Sequence, residues 1–243
     1  MKRESLSISF LICTLITPSA LISQTDPAAE WHLLYPRIRD RFITREEAWL
    51  KIKELEPLLR KLYLKIGKNK EDDRLRFPVK GYDFHSIGGK EGNGYQIQGY
   101  DFFDGNQHKG HPGHDIFIHD KNQDSLDDKT GKPVEVISAV SGIVVSINLN
   151  WKPSNPIRGG NYIWIYDPMR SRYYYYAHLK EILVKVGQTV SKGERIGTIG
   201  RTGLNAYPKR SPTHLHFATF QSKDGYPQPI NLYTEFQNSP RKT

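Results

Sequence analysis

The chain of 243 residues has a single cysteine, two methionines and one long apolar run, which lies at its N-terminus. Cys13 falls inside that run, so the remainder has no disulfide and no thiolate. A metal bound there must be held by His, Asp and Glu. Helix-turn-helix, zinc-finger and RNA-binding signatures are absent as well, so the formal net charge of +9 does not point to nucleic acid. A basic chain of this kind suits an anionic surface such as a cell wall or lipid headgroups. There is no long repeat, no low-complexity tract and no alternating strand-helix rhythm, which removes solenoids and doubly wound parallel sheets from consideration.

The apolar run itself, MKRESLSISFLICTLITPSALISQ, begins with Lys2 and Arg3 and is interrupted by Ser and Thr. It reads as a secretory signal peptide over residues 1–23, cleaved between Ala20 and Ser23, with a retained anchor as the alternative. The expectation is an exported protein of the periplasm or cell envelope, without a stable membrane span after processing. Residues 24–75 read as a helical N-terminal segment and linker. Thr44-Arg-Glu-Glu47 has the form of a capping box. Leu55, Leu58, Leu59, Leu62 and Ile66 recur at helical spacing, so that stripe is expected to be buried. Pro57 predicts a kink or a break into two helices, and KIGKNKEDDR (65–74) an exposed linker. The segment is expected to brace the next domain, with a partner-binding coiled segment as the alternative.

From residue 76 to 243 the pattern is short strands between turns, as in VEVISAVSGIVVSI (134–147), GGNYIWIYD (159–167) and RYYYYAHL (172–179). This predicts a mainly β domain, an antiparallel sheet or barrel. In RYYYYAHL, strand alternation assigns Tyr174, Tyr176 and His178 to one face. THLHF (213–217) sets His214 and His216 on one face of a strand and Leu215 and Phe217 on the other. HKGHPGHDIFIH (108–119) adds four histidines around Asp115. His111 and Asp115 bracket Pro112-Gly113, a spacing that lets both side chains reach one ion, and an imidazole from THLHF would complete three ligands with one open position, as in catalytic zinc sites.

At these residues the sequence resembles the lysostaphin-type, or LytM-domain, zinc endopeptidases that act on peptidoglycan. The motifs in order are His111-Pro-Gly-His-Asp115, Tyr176-Ala-His178 and His214-Leu-His216, with the turn-rich run GQTVSKGERIGTIGRTG between the last two; the resemblance covers about 77 to 235. It implies one catalytic zinc on His111, Asp115 and His216, with His178 and His214 beside a metal-activated water. The family more often has an apolar residue just before the aspartate, where this chain has His114, a position that points away from the metal if Asp115 points toward it. The substrate it implies is the stem peptides or cross-bridges of bacterial peptidoglycan.

Other readings compete. His108 and Asp115 match the spacing of D-Ala-D-Ala carboxypeptidases, but the downstream Glu-x-x-His that those need does not occur. A register starting at His108-Lys-Gly fails because residue 112 is Pro. The rival from another class is a non-catalytic cell-wall-binding or hydrolase-activating module. Separately, Asp120, Asn122, Asp124 and Asp128 fall at calcium-loop spacing, which makes Ca2+ a candidate second cofactor; Ser125 and Gly131 depart from that loop's usual glycine and glutamate, so a solvated acidic loop is the competing reading.

Overall fold

Aromatic and β-branched residues alternating between turns build two antiparallel sheets, and their alternation divides the molecule into three layers. The structure, a computed structural model, describes residues 26–65, 74–209 and 211–239. The expected signal peptide, Ile66 and most of the 65–74 linker lie outside the described residues.

The strands are β1 (Gly113–Phe117), β2 (Glu135–Ile137), β3 (Gly142–Asn148), β4 (Tyr162–Asp167), β5 (Arg172–Ala177), β6 (Leu179–Ile182), β7 (Thr189–Val190), β8 (Arg195–Ile199), β9 (His214–Lys223) and β10 (Tyr226–Pro229). The larger sheet runs β1-β9-β5-β4-β3-β7, with β10 pairing β9, and the smaller runs β2-β8-β6. Each pairing is antiparallel. This agrees with the expected mainly β class, as two sheets facing one another.

One face of the larger sheet presents Ile163, Ile165, Tyr174, Tyr176, Leu215 and Phe217 to Val136, Ile196 and Ile199 of the smaller sheet. The opposite face presents Tyr162, Trp164, Tyr173, Ala218 and Phe220 to two helices, α1 (Pro27–Arg39) and α2 (Arg45–Lys65). A third helix, α3 (Tyr233–Gln237), places Phe236 against the first core.

Helix α1 starts where the Asp26 side chain accepts from the Ala28 amide at 2.9 Å, with Pro27 at the first position, where its missing N–H costs nothing. For α2 the capping box is present in both directions. The Glu47 amide donates to Thr44 Oγ1 at 3.2 Å, and the Thr44 amide donates to Glu47 Oε2 at 3.1 Å.

Two expectations for α2 are corrected. Its buried stripe is Ala48, Ile52, Leu55, Leu59 and Tyr63, and Leu58 is exposed because it falls a full residue off that stripe. The helix also runs from Arg45 to Lys65 without a break at Pro57. Pro57 lies on the exposed side, where water can take up the carbonyl it leaves unbonded, while the stripe on the other side holds the helix to the sheet.

Trp31 of α1 is the centre of that attachment. It stacks on Tyr35 and Tyr173 with ring centroids at 5.6 and 5.3 Å and meets Trp164 at 5.7 Å. Offset aromatic contacts of this kind add to the large apolar area that each ring buries. Trp31→Ala is expected to destabilise the protein by about 3–5 kcal/mol in urea unfolding. A loss under 1 kcal/mol would mean that α1 only rests on the sheet.

Candidate metal centre

Cross-strand register brings the first motif to the last. Strand β1 pairs β9 so that Asp115 lies opposite His216 and Phe117 opposite His214. Leu215 and Phe217 enter the core between the sheets, and His214 and His216 turn to the helix-covered face, as the period of two requires. His111 arrives from the loop before β1. Its backbone pairs with Gln96 in both directions, and its ring Nδ1 lies 2.9 Å from the Gly94 carbonyl.

Three donor atoms converge. His111 Nε2 is 3.1 Å from Asp115 Oδ1, His216 Nδ1 is 2.9 Å from the same oxygen, and the two nitrogens are 3.1 Å apart. Among the described residues, His111, Asp115 and His216 form the group that could hold a metal ion. A neutral His111 that donates Nδ1–H to Gly94 has a bare Nε2, which then faces a carboxylate oxygen at hydrogen-bonding distance. A shared cation relieves that repulsion between lone pairs. Ligands about 2.1 Å from a tetrahedral ion stand on the order of 3.4 Å apart, so the observed triangle needs only to open slightly. The residues fit a metal.

The charge states of Asp115 and His216 fit it too, whereas at His111 burial is outweighed by the Asp115 neighbour, which raises the pKa. Burial alone would raise the Asp115 carboxyl. The adjacent rings of His111, His216 and His214 outweigh that and hold it far below the usual carboxylate range. Burial lowers the His216 ring to about 4. An anionic carboxylate and neutral imidazoles are the forms that bind a divalent cation.

His178 reaches this face by a departure from the strand pattern. Strict alternation would keep it on the face of Tyr174 and Tyr176, as the sequence reading assigns it, and that face is the core between the sheets. Strand β5 instead ends at Ala177, and His178 adopts φ 66°, a left-handed conformation that non-glycine residues enter at a cost. Its amide donates to the Gly159 carbonyl at 2.9 Å, and its own carbonyl accepts from Gly200 at 2.9 Å. The turned ring packs 4.8 Å from His214 and 6.0 Å from His216 between centroids. Burial, reinforced by His214 and His216, pushes its pKa well below the usual imidazole value.

His178 Nδ1 lies 2.8 Å from the Thr202 carbonyl and His214 Nδ1 lies 2.7 Å from the Pro212 carbonyl. Carbonyls only accept, so both rings carry their proton on Nδ1 and present a bare Nε2.

The other histidines of the opening cluster stand apart. His108 packs on Tyr100 at 4.8 Å, and His119 meets Tyr82 at 5.6 Å on an exposed turn. His114 pairs with Phe217 in register, away from Asp115, and burial lowers its pKa to about 4.

The candidate calcium loop finds no support, and its oxygens serve its own turns. Asp120 accepts from the Asp124 and Ser125 amides and from Thr213 Oγ1, at 3.1, 2.9 and 2.6 Å. Asp124 accepts from the Leu126 amide and Asn122 Nδ2, both at 2.8 Å, and Asp128 from the Lys121 amide at 3.1 Å. These side chains close Asx-type turns and do not converge on one point.

Sequence reasoning missed the carbonyls of Gly94, Thr202 and Pro212, since a backbone partner leaves no side-chain signal. It also took Gly113 as half of a turn. A Cβ at Gly113 would lie 2.8 Å from the Phe217 carbonyl oxygen and 2.9 Å from the His216 ring, so only glycine lets β1 approach β9 this closely. Gly113→Ala is therefore expected to weaken metal binding at least about tenfold by calorimetry, a displacement effect comparable to losing a group that orients a ligand. Unchanged affinity would mean that the close approach does not set the ligand geometry.

Comparison with known proteins shows what the chain resembles. Residues 121–229 match the model described as Peptidase family M23. That span contains His178, His214 and His216 and begins after His111 and Asp115; the β1–β9 register supplies Asp115, and the bridge to Gln96 holds His111. A metalloprotease of Haemophilus influenzae, uncharacterized by its name, is 52% identical over 42 residues, covering 17% of this chain and 8% of that protein. One from Buchnera aphidicola, named likewise, is 33% identical over 99 residues, covering 41% and 23%. The chain thus spans less than a quarter of the length of either relative. Among solved structures, a zinc-containing peptidase from Vibrio cholerae is 27% identical, with 65% of this chain and 39% of that one covered and a TM-score of 0.42. The lysostaphin catalytic domain of Staphylococcus simulans is 26% identical, with 52% and 77% covered and a TM-score of 0.36. With a family model matched over residues 121–229 and the three motifs in order, the chain is similar to peptidase family M23.

Proposed function

We propose that the protein is a zinc-dependent endopeptidase that hydrolyses peptide bonds in the stem peptides or cross-bridges of peptidoglycan. The observation that carries this reading is the pairing of three converged ligands with two further histidines whose bare Nε2 atoms share the same face. A set of two imidazoles and one carboxylate suits zinc and leaves a position open, as a hydrolytic site requires. Bound there, zinc would supply a Lewis acid for the scissile carbonyl and lower the pKa of water.

The protein's own groups would do the rest. His214 Nε2, 3.7 Å from Asp115 Oδ1, would accept a proton from the attacking water. His178, neutral at rest because it is buried, would accept a proton likewise and return it to the leaving amine. The Thr202 and Pro212 carbonyls keep both rings in that tautomer. The left-handed backbone at His178 keeps its ring on the site side of the sheet.

Export to the cell envelope belongs to the same proposal, resting on the sequence of residues 1–23. Among the described residues no helix is long and apolar enough to cross a membrane. The formal net charge of +9 favours contact with an anionic wall polymer.

Purified protein incubated with peptidoglycan is expected to release peptide fragments by mass spectrometry and to contain one zinc per chain. Peptidoglycan bound without cleavage would favour the wall-binding alternative. His178→Ala is expected to lower kcat by about 10²–10⁴ with zinc content unchanged. His111→Ala is expected to lose zinc and activity together, and His108→Ala to keep both. An essential His108 would contradict the ligand assignment.

A further inference from the structure

Beside the three ligands lies a cleft lined by His111, His216, His178, Tyr35, Arg39 and Arg158. Two of these residues are cationic, and they are not equivalent. Arg39, on α1, is closed by Asp40 through hydrogen bonds of 2.8 and 2.5 Å and also reaches the Tyr162 hydroxyl at 3.3 Å. Its charge is spent. Arg158 forms no ion pair among the described residues. Its polar contacts are two long hydrogen bonds from Nη1, to the carbonyls of Asn106 and His108, each at 3.4 Å. Nε and Nη2 have no hydrogen-bond partner among the described residues.

The backbone at Arg158 is held firmly. The Ile157 amide donates to Asn155 Oδ1 at 3.0 Å, and Ile157 is buried. The Arg158 carbonyl accepts from the Asn205 amide at 3.4 Å, and the next carbonyl, of Gly159, accepts from the His178 amide at 2.9 Å. The same short loop therefore positions both the left-handed His178 and the Arg158 side chain. Arg158 reaches across the cleft to the segment Phe102–Gln107 and its neighbour His108, so the guanidinium joins two walls. A half-buried guanidinium with free donors and no counter-ion, fixed beside a hydrolytic centre, is an incomplete carboxylate site.

We infer that Arg158 is a specificity-determining residue that binds a free carboxylate of the peptide substrate near the scissile bond. The substrate class is then an acidic peptide and not a neutral one such as a run of glycines. This rests on the proposed peptidase reading for the word substrate, although carboxylate binding can be measured without cleavage. The planar guanidinium would offer its Nε and Nη2 donors as a fork to both carboxylate oxygens, while Nη1 keeps its hold on the opposite wall.

The test uses the full chain loaded with zinc in a His178→Ala background, so that peptide is not consumed. Calorimetry compares a synthetic stem-type peptide bearing free carboxylates with the same peptide fully amidated. The acidic peptide is expected to bind at least about tenfold more tightly, the worth of one charge-assisted hydrogen bond. Arg158→Gln, which retains a donor for the opposite wall without the charge, is expected to erase that difference and leave binding of the amidated peptide unchanged. Arg158→Lys should keep part of it. Equal binding of the two peptides, a preference that survives Arg158→Gln, equal weakening of both, or no binding of either would overturn the inference. Wild-type protein in parallel should show the same preference in KM rather than kcat. Failure of the peptidase reading would appear separately, as intact peptidoglycan after incubation with the zinc-loaded wild type, and the binding comparison would still decide the role of Arg158.

Discussion

The pairing of β1 with β9 is the constraint on which the site depends. That one register places Asp115 across from His216, although about a hundred residues of chain separate them. A slip of one residue would exchange every face, sending Asp115 into the core and His114 to the ligands. The register is held from both sides of the sheet. Ile116, Leu215 and Phe217 are fully buried between the sheets, and Gly113 permits a contact that no other residue allows. The metal centre is thus a by-product of a well-packed strand pair, and its ligands need little reorganisation to receive an ion.

The second constraint is the aromatic face that carries α1 and α2. Tyr162, Trp164, Tyr173 and Phe220 would be a large exposed patch without the helices, and Trp31 and Tyr35 cover it. Tyr35 and Arg39 of α1 also line the cleft next to the ligands. The helical segment therefore has a structural role in covering the sheet and a geometric one in shaping the approach to the centre. Its link to the face of the candidate site is direct, through side chains.

Much of this was legible in the residues themselves. Side-chain patterns with a fixed period were read correctly: the His214/His216 face, the Thr44–Glu47 capping box and the strands on either side of Ser141-Gly142. What escaped reading depends on backbone geometry. His178 leaves its strand's alternation through a left-handed turn, and no feature of RYYYYAHL announces that β5 stops one residue earlier. The carbonyls that fix the histidine tautomers belong to Gly94, Thr202 and Pro212, residues whose side chains have no part in the contact. Pro57 misled because a proline's cost depends on which face it occupies, and that is set by packing. The acidic loop is ambiguous for the opposite reason. Its spacing suits a cation, and the same short side chains equally suit Asx turns, which the structure uses.

The central claim is that His111, Asp115 and His216 hold one metal ion with a position left open toward His178 and His214. Anomalous scattering from crystals of the zinc-loaded protein, collected on either side of the zinc edge, tests it most directly. The account predicts a single strong peak about 2.0–2.2 Å from His111 Nε2, Asp115 Oδ1 and His216 Nδ1. A peak at His108 or in the acidic loop, with none between those three atoms, would contradict it.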